Sequence, residues 1–143
     1  MHFPVATSLA VLAAVSRAAA WSLTTYNNVA DCNANDQTEY RALEGGGFEC
    51  FTFGRDLPGV SCKHFIRGGA ENGGCFGYLY AQGFLVGQNT ICELYAEEDC
   101  RGDLRTASTA SNLVCLNSDG VVNGRGTFAS FKCRDSSFST TTI

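Results

Sequence analysis

The stretch ICELYAEEDCRGDLRTAS, residues 91–108, decides the fold. Its first half alternates: Cys92 and Leu94 fall on one side of an extended chain, while Ile91, Glu93 and Tyr95 fall on the other. Glu97, Glu98 and Asp99 then follow in succession, and Gly102 comes just after Cys100, where a glycine permits the chain to fold back. The pattern reads as a β-hairpin with an acidic tip. A glycosidase needs two carboxylates across a cleft, roughly 5 to 9.5 Å apart, with one kept protonated by burial. Three consecutive acids diverge from one tip with nothing apolar around them, so the sequence assigns them to an exposed surface and no residue to catalysis.

Working outward, the chain opens MHFPVATSLAVLAAVSRAAAW, an apolar run followed by small residues at 18–20. This is the pattern of a cleaved export signal over residues 1–20, and the apolar run is too short to span a bilayer. The remaining chain, from Trp21, has 9 basic residues (the 10 of the whole sequence less Arg17) against 14 acidic ones, a net charge of −5. That balance argues against nucleic acid or an anionic membrane as partner. All eight cysteines lie after the signal, an even number in an exported chain, which predicts four disulfides and no free thiol nucleophile.

Short runs rich in aromatic and β-branched residues occur at 22–27, 47–53, 60–66, 76–81, 90–95, 113–116 and 127–133, separated by turn clusters such as GGG, PG, SDG and NGRG. Residues 36–45 are ambiguous between a short helix, with Asp36 and Glu39 at capping-box spacing, and a strand. The fold class is therefore all-β: a disulfide-stabilised Greek-key sandwich or barrel in a single domain over 21–135, with a flexible Ser/Thr-rich tail at 136–143. The tail is a candidate for O-glycosylation, and no N-x-S/T acceptor follows the signal.

The two halves share an order of features. Tyr26, Asp31-Cys32, Cys50 and Ser61 in the first correspond to Tyr95, Asp99-Cys100, Cys115 and Ser130 in the second. Either two similar four-stranded units repeat, or the order is a coincidence of a Cys-rich chain. Alternation puts Cys92 and Cys133 both on apolar faces and pairs them. Cys100 with Cys115 then closes the hairpin region of the second unit, the repeat pairs Cys32 with Cys50, and Cys62 is left with Cys75.

Other candidate sites are few. NANDQT at 33–38 and NSDG at 117–120 carry oxygen ligands but read as turns, and no EF-hand pattern occurs, so no metal or cofactor is expected. His64 is the only histidine after the signal and so lacks a second one for zinc, and Ser61 beside it lacks a nucleophile elbow. In CFGYLYAQGF, Phe76, Tyr78 and Tyr80 share one face at spacing two; the default is sandwich core, and the alternative is an exposed set of rings that stacks on sugar. Arg67, Arg101 and Arg105 are further candidates for a partner surface.

The segments TYNNVADC (25–32), ECFTFGRDLPGVSCKHFIRGGAENGGC (49–75) and CELYAEEDCRG with the later Cys115 and SFKC (130–133) resemble fungal small secreted cysteine-rich effectors and elicitors. The spacing from Tyr95 to Gly102, followed by Ser130, is similar to the Greek-key motif of βγ-crystallin-type folds, to which microbial killer toxins are also similar. In that motif the aromatic forms a corner, the glycine takes positive φ, and the serine hydrogen-bonds to the folded tip. Asn33 stands where the first unit would have its glycine, and neither unit has the motif's calcium ligands. The resemblance implies a monomeric, non-enzymatic protein of the host apoplast that binds a host extracellular protein or cell-wall glycan and induces plant defence or cell death. Tyr78, Tyr80, Glu97, Glu98 and Asp99 are the candidate partner surface. The alternatives are an antimicrobial toxin or hydrolase inhibitor and, last, a small glycoside hydrolase using the acidic tip.

Overall fold

A computed structural model of the chain describes residues 20–121 and 126–136. The export signal, apart from Ala20, and the Ser/Thr-rich tail, apart from Ser136, lie outside the described residues. Among the described residues ten strands form two antiparallel sheets. They are β1 (Trp21–Tyr26), β2 (Tyr40–Gly45), β3 (Cys50–Thr52), β4 (Ser61–Ile66), β5 (Glu71–Gly73), β6 (Gly83–Val86), β7 (Thr90–Glu97), β8 (Arg101–Ser108), β9 (Val114–Asn117) and β10 (Ser130–Asp135). The first sheet runs β5-β4-β2-β1-β6-β9 and the second β3-β10-β7-β8. Among the described residues no helix is long and apolar enough to cross a membrane.

The sheets interleave. Strands β1, β2, β3 and β6 make one set and β7, β8, β9 and β10 the other, but each set places its third strand in the other's sheet. Four consecutive strands of the first sheet therefore run β2-β1-β6-β9, and the whole of the second runs β8-β7-β10-β3, the same arrangement twice. Registers agree as well: Tyr26 faces Gly83 as Tyr95 faces Ser130, and Leu85 faces Cys115 as Lys132 faces Cys50. Two similar units do recur, but they are not separate four-stranded keys. The counterpart of Ser130 is Gly83 rather than Ser61.

This exchange corrects two of the expected disulfides. The bridges are Cys32–Cys115, Cys50–Cys100, Cys62–Cys75 and Cys92–Cys133. Cys32 does not join Cys50, and Cys100 does not join Cys115, because Cys50 and Cys115 lie on the exchanged strands. Each hairpin tip is bridged to the strand that crosses over from the other unit. Cys92–Cys133, a pair that alternation also names, sits fully buried where the first unit has the directly opposed Leu23 and Val86. One unit fills that core position with a cystine and the other with two aliphatic side chains.

Trp21, Leu23, Leu43, Phe84 and Val86 from the first sheet meet Phe51, Leu94 and Phe131 from the second, with Phe128 closing one side. Segment 36–45 resolves as a strand from Tyr40, because Leu43 must point inward opposite Leu23. Residues 76–81 are not a strand, contrary to their alternation. Gly77 turns with φ of 70°, and the Arg41 guanidinium takes the carbonyl oxygens of Phe76 and Gly77 that a ladder would need. The short strands β5 and β6 flank that loop.

Gly83 lies against the tip of the first hairpin. A Cβ there would collide with the Val29 carbonyl oxygen and lie 3.3 Å from Cys32 Sγ. Gly83→Ala should therefore destabilise the domain by about 1 to 3 kcal/mol through overpacking against backbone. Thermal unfolding midpoints of the two proteins check this, and an unchanged midpoint contradicts it.

Candidate contact surface at the loop end

The bridge from Cys50 to Cys100 pins β3 beside the β7–β8 tip and so places the loop after β3 against the acidic residues. Three backbone contacts shape the tip. Asp99 N–H donates to Thr52 Oγ1 at 3.1 Å, Cys100 N–H donates to Ser130 Oγ at 2.8 Å, and Ser130 Oγ–H donates to the Glu97 carbonyl. Asp99 and Cys100 hold φ of 60° and 55°, and Gly102 holds 82°. Left-handed backbone is costly for a residue with a Cβ, and these hydrogen bonds with the disulfide hold it in place. The corresponding Cys32 also has φ of 60°.

Arg55, which follows Gly54 in that loop, forks onto the tip. Its Nη1 lies 2.9 Å from Asp99 Oδ1 and its Nη2 3.3 Å from Glu98 Oε1, while Arg101 reaches Asp99 at 3.6 Å. All of these groups are about half exposed or more, so the pairs contribute orientation and little stability. The acidic cluster is thus tied to a guanidinium.

Gly54, at φ of 89°, is covered by the Tyr78 ring; a Cβ there would sit 2.6 Å from Tyr78 Cδ2. Tyr78 in turn packs on Tyr80, with ring centroids 4.5 Å apart and planes at 58°. Tyr80 is 61 % exposed and Phe76 85 %. The rings are therefore not sandwich core, as the default reading had them, because the loop that carries them leaves the sheet. Through Gly54 and Arg55 the structure joins the aromatic and acidic candidates at one end of the molecule. Arg67, which pairs with Glu71, and Arg105, which lies over Phe128 and donates to the Asn117 carbonyl, belong to other surroundings.

Between residues 53–60 and 74–79 lies a cleft of about 290 Å³. Cys62 of β4, the strand next to β2 in the first sheet, lines one side of it. Cys62–Cys75 fastens the outer loop to that strand. Arg41 stands at the back of the cleft with its Nε donating to His64 Nδ1 at 2.9 Å, Nη1 to the Gly77 carbonyl at 3.0 Å and Nη2 to the Phe76 carbonyl at 2.6 Å. Burial pulls its pKa below the usual arginine value, and Glu39 opposes that shift. Arginine can only donate, so Nδ1 of His64 is the acceptor and its other nitrogen, 3.3 Å from Glu39 Oε2, carries the proton. Ser61 and His64, three residues apart on β4, project to opposite faces.

Arg41, Gly54, Arg55 and Asp56 were not singled out from the sequence. Arg41 carries the one legible signal: if residues 40–45 are a strand, a charged residue shares the inward face with Leu43.

Tyr95, the aromatic of the second hairpin, donates its hydroxyl to Glu93 Oε1 at 2.6 Å. The contact to that carboxylate, with burial second, pushes its pKa up to about 12. The neutral phenol is the bonded form, so the contact's stabilisation is present below about pH 10 and is lost as pH rises through 12. In Glu93→Gln, Tyr95 should titrate closer to about 10. Alkaline titration of phenolate absorbance checks this, and an unmoved curve contradicts the assignment.

Residues 21–133 match the family described as "Secreted LysM effector LysM14, C-terminal domain". No curated protein and no solved structure matches the chain.

Proposed function

Because this chain belongs to the family of the C-terminal domain of the secreted LysM effector LysM14, we infer that it is an extracellular effector domain that acts by contact with a host apoplastic or cell-surface component and triggers plant defence or cell death. Its secreted, disulfide-bonded all-β character agrees with that family. The observation that carries the reading is the convergence of exposed Phe76 and Tyr80 with the Arg55-bound acidic tip at one cross-linked end. Rigid rings with a charged rim supply binding energy at small entropic cost. Contact rather than catalysis is favoured because Glu98 and Asp99 are paired with the Arg55 guanidinium at the surface. We also read the sandwich as βγ-crystallin-like; Gly102 at positive φ, Ser130 on the hairpin tip and the repeated strand exchange support it.

Leaf infiltration tests the function. Folded protein should induce cell death or defence markers, reduced and alkylated protein should not, and Tyr80→Ala should lose most of the response while keeping its fold. A folded wild-type protein with no effect on cell death, defence markers or infection would sink the reading.

A further inference from the structure

We propose that the cleft between residues 53–60 and 74–79 binds one neutral pyranose unit of a glycan. The proposal rests on the reading of this end as the contact surface and names the chemistry of what it contacts.

The size of the cleft sets the scale. At about 290 Å³ it lies at the lower edge of the roughly 300 to 1,000 Å³ range of small-molecule sites. That is room for a single ring with its neighbours outside, or for one side chain.

Its walls set the chemistry. Leu57 and Val60 supply apolar surface, and Phe76 stands at the mouth. The Phe76 ring lies over Gly74, where a Cβ would collide with it, so glycine there lets the ring settle on backbone. The ring is thereby held against the backbone while the residue stays 85 % exposed. A flat, supported, exposed ring suits the C–H face of a sugar.

The polar groups are mixed in kind. Arg41 uses three of its five N–H bonds, on His64, Gly77 and Phe76, and so retains two donors at the cleft's back. Asp56 lines the same cleft and, among the described residues, has no ion-pair partner, so its carboxylate can accept from hydroxyls. Donor and acceptor around an apolar wall match a ring of hydroxyls, each of which both gives and takes a proton.

Charge chooses among sugars. Asp56 in the wall, Glu98 and Asp99 already claiming Arg55, and a net charge of −4 for the whole sequence all disfavour a uronate. Arg41 at the back disfavours a cationic amino sugar. A protein partner would need a surface of about 1,200 Å² or more around these rings, and the cleft itself does not call for one.

The test is a ¹H–¹⁵N NMR titration of the disulfide-intact protein. The probes are soluble oligomers of glucose, mannose, xylose and N-acetylglucosamine, with oligogalacturonate as the acidic arm. At least one neutral oligomer should shift the amide signals of Val60, Gly77 and Leu79 saturably. Phe76→Ala should weaken that binding about tenfold. Asp56→Asn, a change at an exposed position, should weaken it as well. No shift with any neutral oligomer, binding of oligogalacturonate alone, or full binding by both variants overturns the proposal. If neutral oligomers fail while Tyr80→Ala still abolishes the leaf response, the glycan assignment falls, the partner is a protein, and the contact surface stands. If the glycan binds and Tyr80→Ala leaves the leaf response intact, the sugar site stands and the effector reading of this end falls.

Discussion

With Cys32 and Cys115 both replaced by alanine, the domain should lose about 4.5 kcal/mol of stability, the largest loss from any one of its four bridges. The reason is the length of chain each bridge closes. Sequence separations are 83 for Cys32–Cys115, 50 for Cys50–Cys100, 41 for Cys92–Cys133 and 13 for Cys62–Cys75. Loop-closure entropy grows with the logarithm of that length, which gives about 3 kcal/mol for the shortest loop. Small domains are stable by only about 5 to 15 kcal/mol, so the longest bridge is a large part of the total. Urea unfolding of each double variant measures the order. A greater loss from removing Cys62–Cys75 than from removing Cys32–Cys115 contradicts the account.

Phe131→Ala should destabilise by about 3 to 5 kcal/mol. Phe131 is fully buried on β10, in contact with three other rings: Trp21 edge-on at 5.8 Å, Phe51 at 5.5 Å and Phe53 stacked at 4.9 Å. Neighbours anchored in two sheets, with Cys133 bridged two residues away, cannot close over the space left behind. Phe53 also lines the cleft, so the loss should reach the cleft walls. Urea unfolding gives the energy and near-ultraviolet circular dichroism reports the ring environment. A loss below about 1 kcal/mol would show that Phe131 is not the centre of the core.

Local chemistry was legible in the sequence where it decided the structure alone. Alternation in 90–95 and 127–133 located Cys92 and Cys133 as opposed inward residues, and turn residues marked the 97–102 tip. Long-range exchange was not legible. Nothing in residues 50–52 or 114–117 states that these short strands leave their own unit, and pairing neighbours in the chain is the simpler guess. The Cys32–Cys50 and Cys100–Cys115 errors follow from that alone. The tyrosine and cysteine correspondences between the two halves were nevertheless sound, since Cys32 corresponds to Cys100 and Cys50 to Cys115, whereas Ser61 does not correspond to Ser130.

The site was half legible. Tyr78, Tyr80 and the acids were named, but alternation at 76–81 suggested a buried strand because period two cannot report where backbone carbonyls find donors. Arg41, thirty-five residues upstream of Phe76, supplies them and turns the segment into a loop. Arg55 likewise unites two candidates that are far apart in sequence, reaching Asp99 across 44 residues.

The strand exchange places the loop after β3 beside the hairpin tip and so assembles the proposed contact surface. Peptide mapping of the non-reduced protein, cleaved so that every cysteine lies on its own peptide, tests it most directly. The account predicts Cys50 joined to Cys100 and Cys32 joined to Cys115. Cys32 joined to Cys50, with Cys100 joined to Cys115, would contradict the exchange and with it the surface built upon it.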